Sequence, residues 1–162
     1  MSKINNSKAG FTLLETLVIM TMVGILATVT YPNVRGLIKG QTLNTSNNKI
    51  YYAMKQAQNL AKAQNTIIQL SVIEQNDVVK WAVHQAGKNP NYVDQLEQEI
   101  KLDGATTWDV KFDHNGYPYD TEVPTKITLT LKDNDEEKRC VEVANLLGSL
   151  EIKGAKNKAE CE

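Results

Sequence analysis

The segment with the clearest chemical character in this sequence is KAGFTLLETL, residues 8–17, because it places one carboxylate inside an apolar run. The run begins at Phe11 and continues to Tyr31, and Glu15 is its only charged residue. An ionised carboxylate in an apolar medium is strongly destabilised unless a cation or a hydrogen-bond donor compensates its charge. The sequence therefore predicts a partner for Glu15, or a position at the edge of the apolar region from which the side chain reaches water.

Two cysteines, Cys140 and Cys161, are the only thiols of the chain, and both lie near its end. In an exported chain two such cysteines indicate one disulfide, whereas in the cytosol they would stay free. The residues alone leave both states open, and the compartment decides between them.

Other groups that often carry chemistry are sparse. The two histidines show no metal-ligand spacing to the cysteines, and we expect His84 on a strand and His114 in a turn. The acidic run from Asp133 to Glu137 lacks the glycine and the spacing of an EF-hand loop, so it is interpreted as a solvated turn. No glycine-rich phosphate loop or nucleophile motif is present. The sequence predicts no enzyme, no catalytic residue, no metal site and no cofactor.

The apolar run is long enough to be a membrane element. Residues 11–31 make about 21 positions, enough for a helix to span a hydrocarbon core of roughly 30 Å. Lys3 and Lys8 precede the run and Arg35 follows it, which favours a cytoplasmic N-terminus and export of the later residues. The rival interpretation is a secretory signal peptide, but it needs a small-x-small cleavage site after the run, and residues 28–32, TVTYP, fit that poorly.

After Pro32 the polarity rises while helical spacing continues. Apolar residues recur on one helix face, namely Ile50, Ala53, Met54, Ala57, Leu60 and Ala61. We therefore predict a helix that reaches Ala63 or Asn65, with a stripe that packs on a sheet and binds no ligand.

Beyond this helix the apolar period changes to two, with β-branched residues, which predicts strands. The expected strands cover residues 66–74, 78–84, 107–112, 125–131, 139–144 and 149–153. Residues 91–100 are expected to form a short helix, with Asn89 as its N-cap and Pro90 in the first helical position. Residues 133–138 are expected to form a charged turn. The pattern predicts an α+β fold in which a long N-terminal helix packs on an antiparallel sheet.

The sequence KAGFTLLETLV resembles the class III signal of type IV pilins and type II secretion pseudopilins. In that family a prepilin peptidase cuts after the glycine, the new N-terminal residue is N-methylated, and the glutamate acts in assembly. The resemblance implies cleavage between Gly10 and Phe11, methylation of Phe11 and an assembly role for Glu15. Gly24 and Pro32 match places where pilin N-terminal helices are often bent.

The resemblance also suggests a partner for the carboxylate. After cleavage, the α-amino group of Phe11 is a cation one helical turn away from Glu15. In a filament the amino group could instead come from the neighbouring subunit, and that intermolecular pair would set the register between subunits. Either pair would lower the cost of a charge in apolar surroundings.

The family has a pilin-like ladle fold, which implies four parts in this chain. Residues 1–10 would be a cleaved leader, and residues 11–34 a transmembrane and filament-core helix. Residues 35–65 would continue the helix, in amphipathic form, into the head. Residues 66–162 would be the antiparallel β-sheet head, with a disulfide between Cys140 and Cys161 closing a C-terminal loop.

Weaker similarities narrow the family. Residues 50–83, the turn at residues 112–116 and the ending at residues 141–152 resemble the branch that contains GspH, FimT and FimU. This branch implies a minor pilin that helps to initiate a type IV pilus and is incorporated near its tip. Two alternatives stay open: a type II secretion minor pseudopilin of the GspH type, and a major pilin, which also often carries two C-terminal cysteines.

The resemblance implies partners and a location as well. The partners would be the prepilin peptidase, other major and minor pilins, the inner-membrane assembly platform with its ATPase, and membrane lipid before assembly. The chain would cross the inner membrane once, with a cytoplasmic leader and a periplasmic head. It would then enter an extracellular pilus or a periplasmic pseudopilus.

A further alternative is a pilus-associated DNA-binding subunit for DNA uptake, but the residues disfavour DNA as a partner. FimT-like subunits that contact DNA carry an arginine-bearing motif after a glycine near the C-terminus, and the matching residues 148–153, GSLEIK, contain no arginine. Without Lys3 and Lys8 the chain has 16 of its 18 Lys and Arg side chains against 19 acidic ones, a formal side-chain charge of −3. Phosphate binding needs clustered positive charge.

Overall fold

The computed structural model describes residues 11–120, 122–123, 125–155 and 161, with backbone only over residues 29–35 and at residue 155. The chain divides into two units, Met1–Ile38 and Lys39–Glu162. Helix α1, Leu13–Gln64, provides residues to both units.

Helix α1 ends where the sequence predicts. Asn65 follows its last residue with a φ of 50°, in the left-handed region that often ends a helix. The Thr66 N–H donates to the Ala61 carbonyl oxygen at 3.3 Å, which satisfies one carbonyl of the last turn. The helix is continuous through Gly24 and Pro32, and a bend at these two residues stays a prediction.

The second unit contains two four-stranded antiparallel sheets. In chain order the strands are β1 (Ile68–Gln75), β2 (Val78–Gln85), β3 (Asp94–Gln95), β4 (Ile100–Leu102), β5 (Thr107–Phe112), β6 (Thr125–Leu131), β7 (Asn134–Val143) and β8 (Leu150–Ala155). Sheet A has the order β3-β2-β1-β5, and sheet B has the order β4-β6-β7-β8. The predicted α+β class is confirmed, although the strands divide between two sheets.

One apolar core joins both sheets to the helix within this unit. Its fully buried side chains come from helix α1, sheet A and sheet B, and include Leu43, Ile50, Met54, Leu70, Val110, Phe112, Leu129, Leu131 and Val141. Burial of one such side chain stabilises a fold by about 1.5–3 kcal/mol. The predicted helix stripe lies in this core, with Leu60 partly buried at its edge.

The predicted helix over residues 91–100 is wrong, because β3 lies inside this range and β4 begins at its end. Leu96 and Ile100, whose four-residue spacing suits a helix, are both buried from a non-helical path. The Leu96 N–H donates to the Val79 carbonyl oxygen at 2.8 Å. Packing in the core therefore overrides the local helix-start signal of the preceding Asn-Pro pair.

The predicted charged turn over residues 133–138 is also wrong in its length. The turn contains only residues 132–133, and β7 begins directly after it. The Thr130 hydroxyl donates to the carbonyl oxygens of Asn134 (3.3 Å) and Glu137 (3.0 Å), and the strand register shifts after Thr130. Between the pairs Thr130–Lys138 and Leu131–Asn134 the register skips residues 135–137, and this irregularity keeps the charged residues within β7 instead of in a loop.

Glu97, in the loop between β3 and β4, joins that loop to helix α1. Its carboxylate accepts hydrogen bonds from Ser46 Oγ and Lys49 Nζ, both at 2.7 Å. Partial burial would raise the pKa of Glu97, but the hydrogen bonds from Lys49 and Ser46 outweigh burial. The pKa of Glu97 is therefore lower than its ordinary value of 4.5.

We expect the Glu97→Gln variant to lose part of the pH dependence of stability. A carboxyl group whose pKa is lower in the folded state stabilises the fold above its unfolded pKa, and this contribution is lost as the pH falls through the folded pKa. The wild-type free energy of unfolding should therefore fall more steeply than that of the variant below about pH 4.5. Urea unfolding along an acid pH series measures both slopes. Glu99→Gln, on the same loop and exposed, is the matched control, and equal slopes for wild type and Glu97→Gln would contradict the linkage.

Candidate functional site

Helix α1 starts within the segment that the sequence marks for processing. Thr12 precedes the first helical residue, and its Oγ accepts the Glu15 N–H at 3.2 Å. The Thr12 carbonyl oxygen accepts the Thr16 N–H at 3.1 Å. Thr12 is therefore the N-cap, and Glu15 is the third helical residue, as in the T-x-x-E capping box. This role of Thr12 was not predicted, although the T-x-x-E pattern is visible in the sequence.

The carboxylate of Glu15 lies in the first helical turn and is exposed. A negative charge at this end of a helix interacts favourably with the helix dipole. The bond to Thr12 uses the main-chain N–H of Glu15, so it does not occupy the carboxylate. The helix start thus favours a carboxylate at this position and leaves it available to a cation.

Every described side chain from Phe11 to Thr28 is exposed, although most are apolar. Leu13 is 83% exposed and Met20 is 75% exposed, and the exposed apolar residues lie on all sides of the helix. A helix that is apolar around its whole circumference is normally covered by protein or lipid. We therefore expect this segment to be covered by protein or lipid.

Threonine hydroxyls within this segment are satisfied by the helix itself. The bonds run from Thr16 Oγ to the Leu13 carbonyl (2.8 Å), from Thr21 Oγ to the Val18 carbonyl (2.8 Å) and from Thr28 Oγ to the Ile25 carbonyl (2.7 Å). A hydroxyl bonded in this way needs no partner outside the helix. The threonines therefore do not oppose burial of the segment.

The predicted cleavage position lies partly outside the described residues. Gly10 and the leader are outside them, while Phe11 is described and exposed. Cleavage, methylation of Phe11 and the assembly role of Glu15 stay predictions. No helix in the described part of the chain is long and apolar enough for a membrane crossing.

In the head, Cys140 and Cys161 form a disulfide, with their Cα atoms 5.9 Å apart. Cys140 lies in β7, between Thr128 of β6 and Lys153 of β8. Both cysteines are buried. Since Val141, the next residue, faces the core, the disulfide holds Cys161 against the opposite face of sheet B.

The histidines lie where the sequence predicts, His84 in β2 and His114 in the turn after β5. His84 Nε2 is 3.0 Å from Ser71 Oγ, and His84 Nδ1 is 3.0 Å from the Gln85 carbonyl oxygen. Both ring nitrogens of His84 are thus used within sheet A. Within the described ranges, no group of three His, Cys, Asp or Glu side chains is placed to hold a metal ion.

The turns after β5 and after β7 share one hydrogen-bond pattern, and we call residues 113–117 and 145–149 the twin turns. In each, the first side chain, Asp113 or Asn145, accepts the N–H groups two and four residues later at 2.9–3.1 Å. The fourth residue is a glycine with positive φ, Gly116 (79°) or Gly148 (74°), whose N–H donates to the first residue's carbonyl oxygen. Glycine adopts this backbone conformation without steric cost.

The first of the twin turns also lowers the pKa of Asp113. Partial burial would raise the pKa of Asp113, but the main-chain N–H groups of Tyr117 and Asn115 outweigh it and lower the pKa. Asp113 is therefore held as a carboxylate, the form that accepts both bonds.

Gln58 of helix α1 joins the twin turns. Its Nε2 donates to the carbonyl oxygen of Gly148 at 2.7 Å and to that of Gly116 at 3.1 Å. The side chain is buried, and an amide nitrogen has two hydrogens to donate. The sequence did not predict this role of Gln58, because its two acceptors lie 58 and 90 positions later in the chain.

The stretch that corresponds to the DNA-contacting motif begins in the second of the twin turns and continues into β8. Its lysine, Lys153, lies 2.8 Å from a carboxylate oxygen of Glu142 and 3.8 Å from one of Glu151. The positive charge is compensated locally, which weakens a contact to phosphate. Lys156 and Lys158 lie outside the described residues.

Comparisons with known proteins address both parts of the chain. The prokaryotic N-terminal methylation motif matches residues 5–31. No curated protein matches the sequence significantly. One solved structure of the type IV minor pilin FimU from Pseudomonas aeruginosa PAO1, in space group P21, has a TM-score of 0.51 and 12% identity, and the match covers 75% of this chain and 98% of that chain. The chain combines a type IV prepilin motif with a pilin fold. A second FimU structure, in space group P65, has a TM-score of 0.49 and 12% identity, with coverage of 71% and 98%.

The expected resemblance is thus confirmed in two parts, by the methylation motif at the start of the chain and by the similarity of its fold to that of a pilin. Proteins with this motif and this fold are structural subunits and not enzymes. The motif is that of pilins that are anchored in the membrane, processed by a prepilin peptidase and assembled with other pilins. Because the identity to FimU is only 12%, this similarity supports a shared fold and no shared role.

Proposed function

We propose that this chain is a minor pilin that helps to initiate a type IV pilus and is incorporated near the filament tip. The observation that carries the proposal is the helix segment from Phe11 to Thr28, which follows a methylation motif directly and exposes apolar side chains on all sides. Water excludes such a surface, so the segment requires an apolar environment. Lipid before assembly, and neighbouring pilin helices after it, would provide that environment in turn.

The first step is removal of the leader. The prepilin peptidase cuts between Gly10 and Phe11, and Phe11 is then methylated. Cleavage creates an α-amino cation on Phe11, four positions before Glu15. Glu15 lies in the first turn of the helix that Thr12 caps. The methylation motif supports the membrane step.

The second step is packing of the processed helix into a filament. In apolar surroundings an unpaired carboxylate is costly, whereas a carboxylate paired with an amino cation is compensated. The Glu15 carboxylate pairs with the Phe11 amino group of its own chain or of the neighbouring subunit. Because the pair forms only at one relative position of the two helices, it selects the register. The assembly platform and its ATPase supply the energy for extraction from the membrane.

The head provides the argument for a minor pilin. Its fold is that of FimU, which is a type IV minor pilin in Pseudomonas aeruginosa. The disulfide between Cys140 and Cys161 suits an oxidising compartment outside the cytosol. Both features support a pilus subunit whose head lies outside the cytoplasm.

The test of processing is the intact mass of the full chain from membranes of cells with and without prepilin peptidase. We expect a chain that lacks residues 1–10 and carries one extra methyl group, and only when the peptidase is present. An unprocessed chain, or cleavage after the apolar run, would overturn the proposal.

The same cells test assembly through Glu15→Gln, which keeps the shape of the side chain and removes its charge. We expect normal processing of this variant and a loss from sheared filaments of about tenfold or more, because a buried ion pair is broken. Glu122→Gln, exposed in the head, is the matched control and should be incorporated normally. Copies of the wild-type chain as abundant as the main filament subunit would make it a major pilin instead.

A further inference from the structure

Within the head, helix α1 has two parts that differ in composition, which we call the proximal segment (residues 39–49) and the distal segment (residues 50–64). The proximal segment contains the stretch NTSNN at residues 44–48, whose side chains compete for main-chain hydrogen bonds and so disfavour a helix. The distal segment contains AMKQAQNLAKA at residues 53–63, in which every residue type except asparagine is a strong helix former. The proximal helix therefore depends more on its contacts with the strands than the distal helix does.

The apolar contacts of the two segments are unequal. Among residues 39–49, all of which the structure describes, Leu43 is the only buried apolar side chain. The distal segment has five such side chains, which are Ile50, Ala53, Met54, Ala57 and Ala61. Because burial of apolar surface is the main attractive contribution to packing, the distal segment is held more strongly to the head.

Polar contacts attach the proximal segment at the surface. Lys39 and Asp133 form an ion pair whose side chains are 41% and 59% exposed. Asn44 Oδ1 accepts a hydrogen bond from Arg139 Nε at 2.9 Å, also in an exposed position. The two bonds to the Glu97 carboxylate, described above, are only partly buried. Water competes for groups of this kind, so each such contact contributes little net stability.

Asn47 lies in the proximal segment and opposes its attachment. The residue is 1% exposed, and its Oδ1 atom has no hydrogen-bond partner among the residues that the structure describes. A buried amide oxygen without a donor is less stable than the same oxygen in water. This cost disappears when the proximal segment leaves the head, because water then donates to Oδ1.

We propose that the proximal segment opens from the head and unfolds locally while the distal segment stays bound. Opening breaks the surface contacts of Lys39, Asn44 and Glu97, and it exposes one buried apolar side chain of the segment, Leu43. In return it hydrates Asn47 and releases a stretch with low helix propensity. Regions with few buried apolar contacts open at the lowest free energy in a folded protein.

The open proximal segment is longer than the helical one. A helical residue rises about 1.5 Å along the axis, whereas an extended residue spans about 3.3 Å. Residues 39–49 can therefore lengthen by roughly 20 Å. Tension favours the longer form, so in the filament proposed above this segment would extend while the core of the head stays folded. That consequence rests on the proposed function, whereas the opening itself does not.

Hydrogen exchange of the full chain, ¹⁵N-labelled in detergent micelles, tests the opening. After correction for the intrinsic rate of each residue, we expect amides of the proximal segment to exchange about a hundredfold faster than those of the distal segment. Exchange of the proximal amides should also depend only weakly on urea, because local opening exposes less surface than global unfolding. Equal corrected rates in the two segments, with the urea dependence of global unfolding in both, would overturn the proposal.

Two leucine variants test the contribution of the buried amide. Asn47→Leu keeps the approximate shape of the side chain and removes the unpaired oxygen, so it should slow proximal exchange about tenfold. Asn48→Leu is the matched control, because Asn48 is exposed and the change in helix propensity is the same. The control should slow exchange only about twofold. Equal effects of the two variants would contradict the proposed role of Asn47.

A third variant tests the polar attachment. Glu97→Gln weakens the bonds to the proximal segment and should speed its exchange about fivefold, whereas Glu99→Gln, on the same loop and exposed, should not. Unchanged proximal exchange in Glu97→Gln would count against the proposed opening. None of these measurements depends on leader processing or assembly, so this inference and the proposed function fail separately.

Discussion

Replacement of Gly148 by alanine is expected to destabilise the head by about 3 kcal/mol. The new Cβ atom would lie 2.5 Å from the Gly116 carbonyl oxygen and 2.8 Å from Gln58 Nε2. Either neighbour has to move, and each movement weakens the bonds by which Gln58 joins the twin turns. The left-handed backbone of residue 148 adds about 1–2 kcal/mol of strain for any residue with a Cβ atom.

The matched control for this variant is Gly87→Ala. Gly87 has a φ of 79°, close to that of Gly148, but a Cβ atom there would meet nothing within 4 Å. Its loss should therefore be the backbone strain alone, about 1 kcal/mol. Urea unfolding of the full chain in mild detergent, followed by the fluorescence of Trp81 and Trp108, gives both free energies. Equal losses for the two variants would show that the contact with Gln58 is not a source of stability.

Reduction of the disulfide is expected to cost a similar amount. The bond joins residues 21 positions apart, and the chain-entropy model gives about 3 kcal/mol for a loop of that length. Because Cys140 is buried between β6 and β8, reduction leaves its sulfur in place and releases only Cys161. We therefore expect a less stable head with intact sheets, measured as a lower urea midpoint with unchanged circular dichroism.

The control for reduction is the double variant Cys140→Ala and Cys161→Ala. Its stability should match that of the reduced wild type within about 1 kcal/mol and should not respond to reductant. A wild-type midpoint that is unchanged by complete reduction, verified by thiol titration, would contradict a stabilising role for the bond.

The sequence predicted correctly those elements whose residue types favour one backbone conformation over the others. The strands over residues 107–112 and 125–131 have the predicted bounds, and β-branched residues in both ranges favour a strand. The end of helix α1 follows from Asn65, a residue type that accepts the left-handed conformation. The helix predicted over residues 91–100 is wrong because apolar side chains with the spacing of Leu96 and Ile100 suit both a helix and a loop that packs on the core.

Features that depend on distant partners were not predictable in the same way. The division into two sheets depends on the pairing of β4 with β6, which lie far apart in the sequence, and not on the character of either strand. The contact of Gln58 with Gly116 and Gly148 has no local signature, because a glutamine on a helix face usually faces solvent.

The cleavage motif differs from these features, since all its information is local. Gly10, Phe11 and Glu15 are read from one short stretch, and the methylation motif matched over residues 5–31 contains all three. The Thr12 cap lies in the same stretch, and the T-x-x-E pattern that indicates it is equally local.

The twin turns have a further consequence for work on living cells. Their backbone depends on the acceptor at the first position and the glycine at the fourth, while the side chains at the second and third positions extend into solvent. In the second turn these are Leu146 and Leu147, each 71% exposed. A fluorophore or a short affinity tag attached there would leave the hydrogen-bonded frame of the turn in place. This turn therefore offers a position at which the protein can be labelled, so that its proposed place along a filament can be imaged.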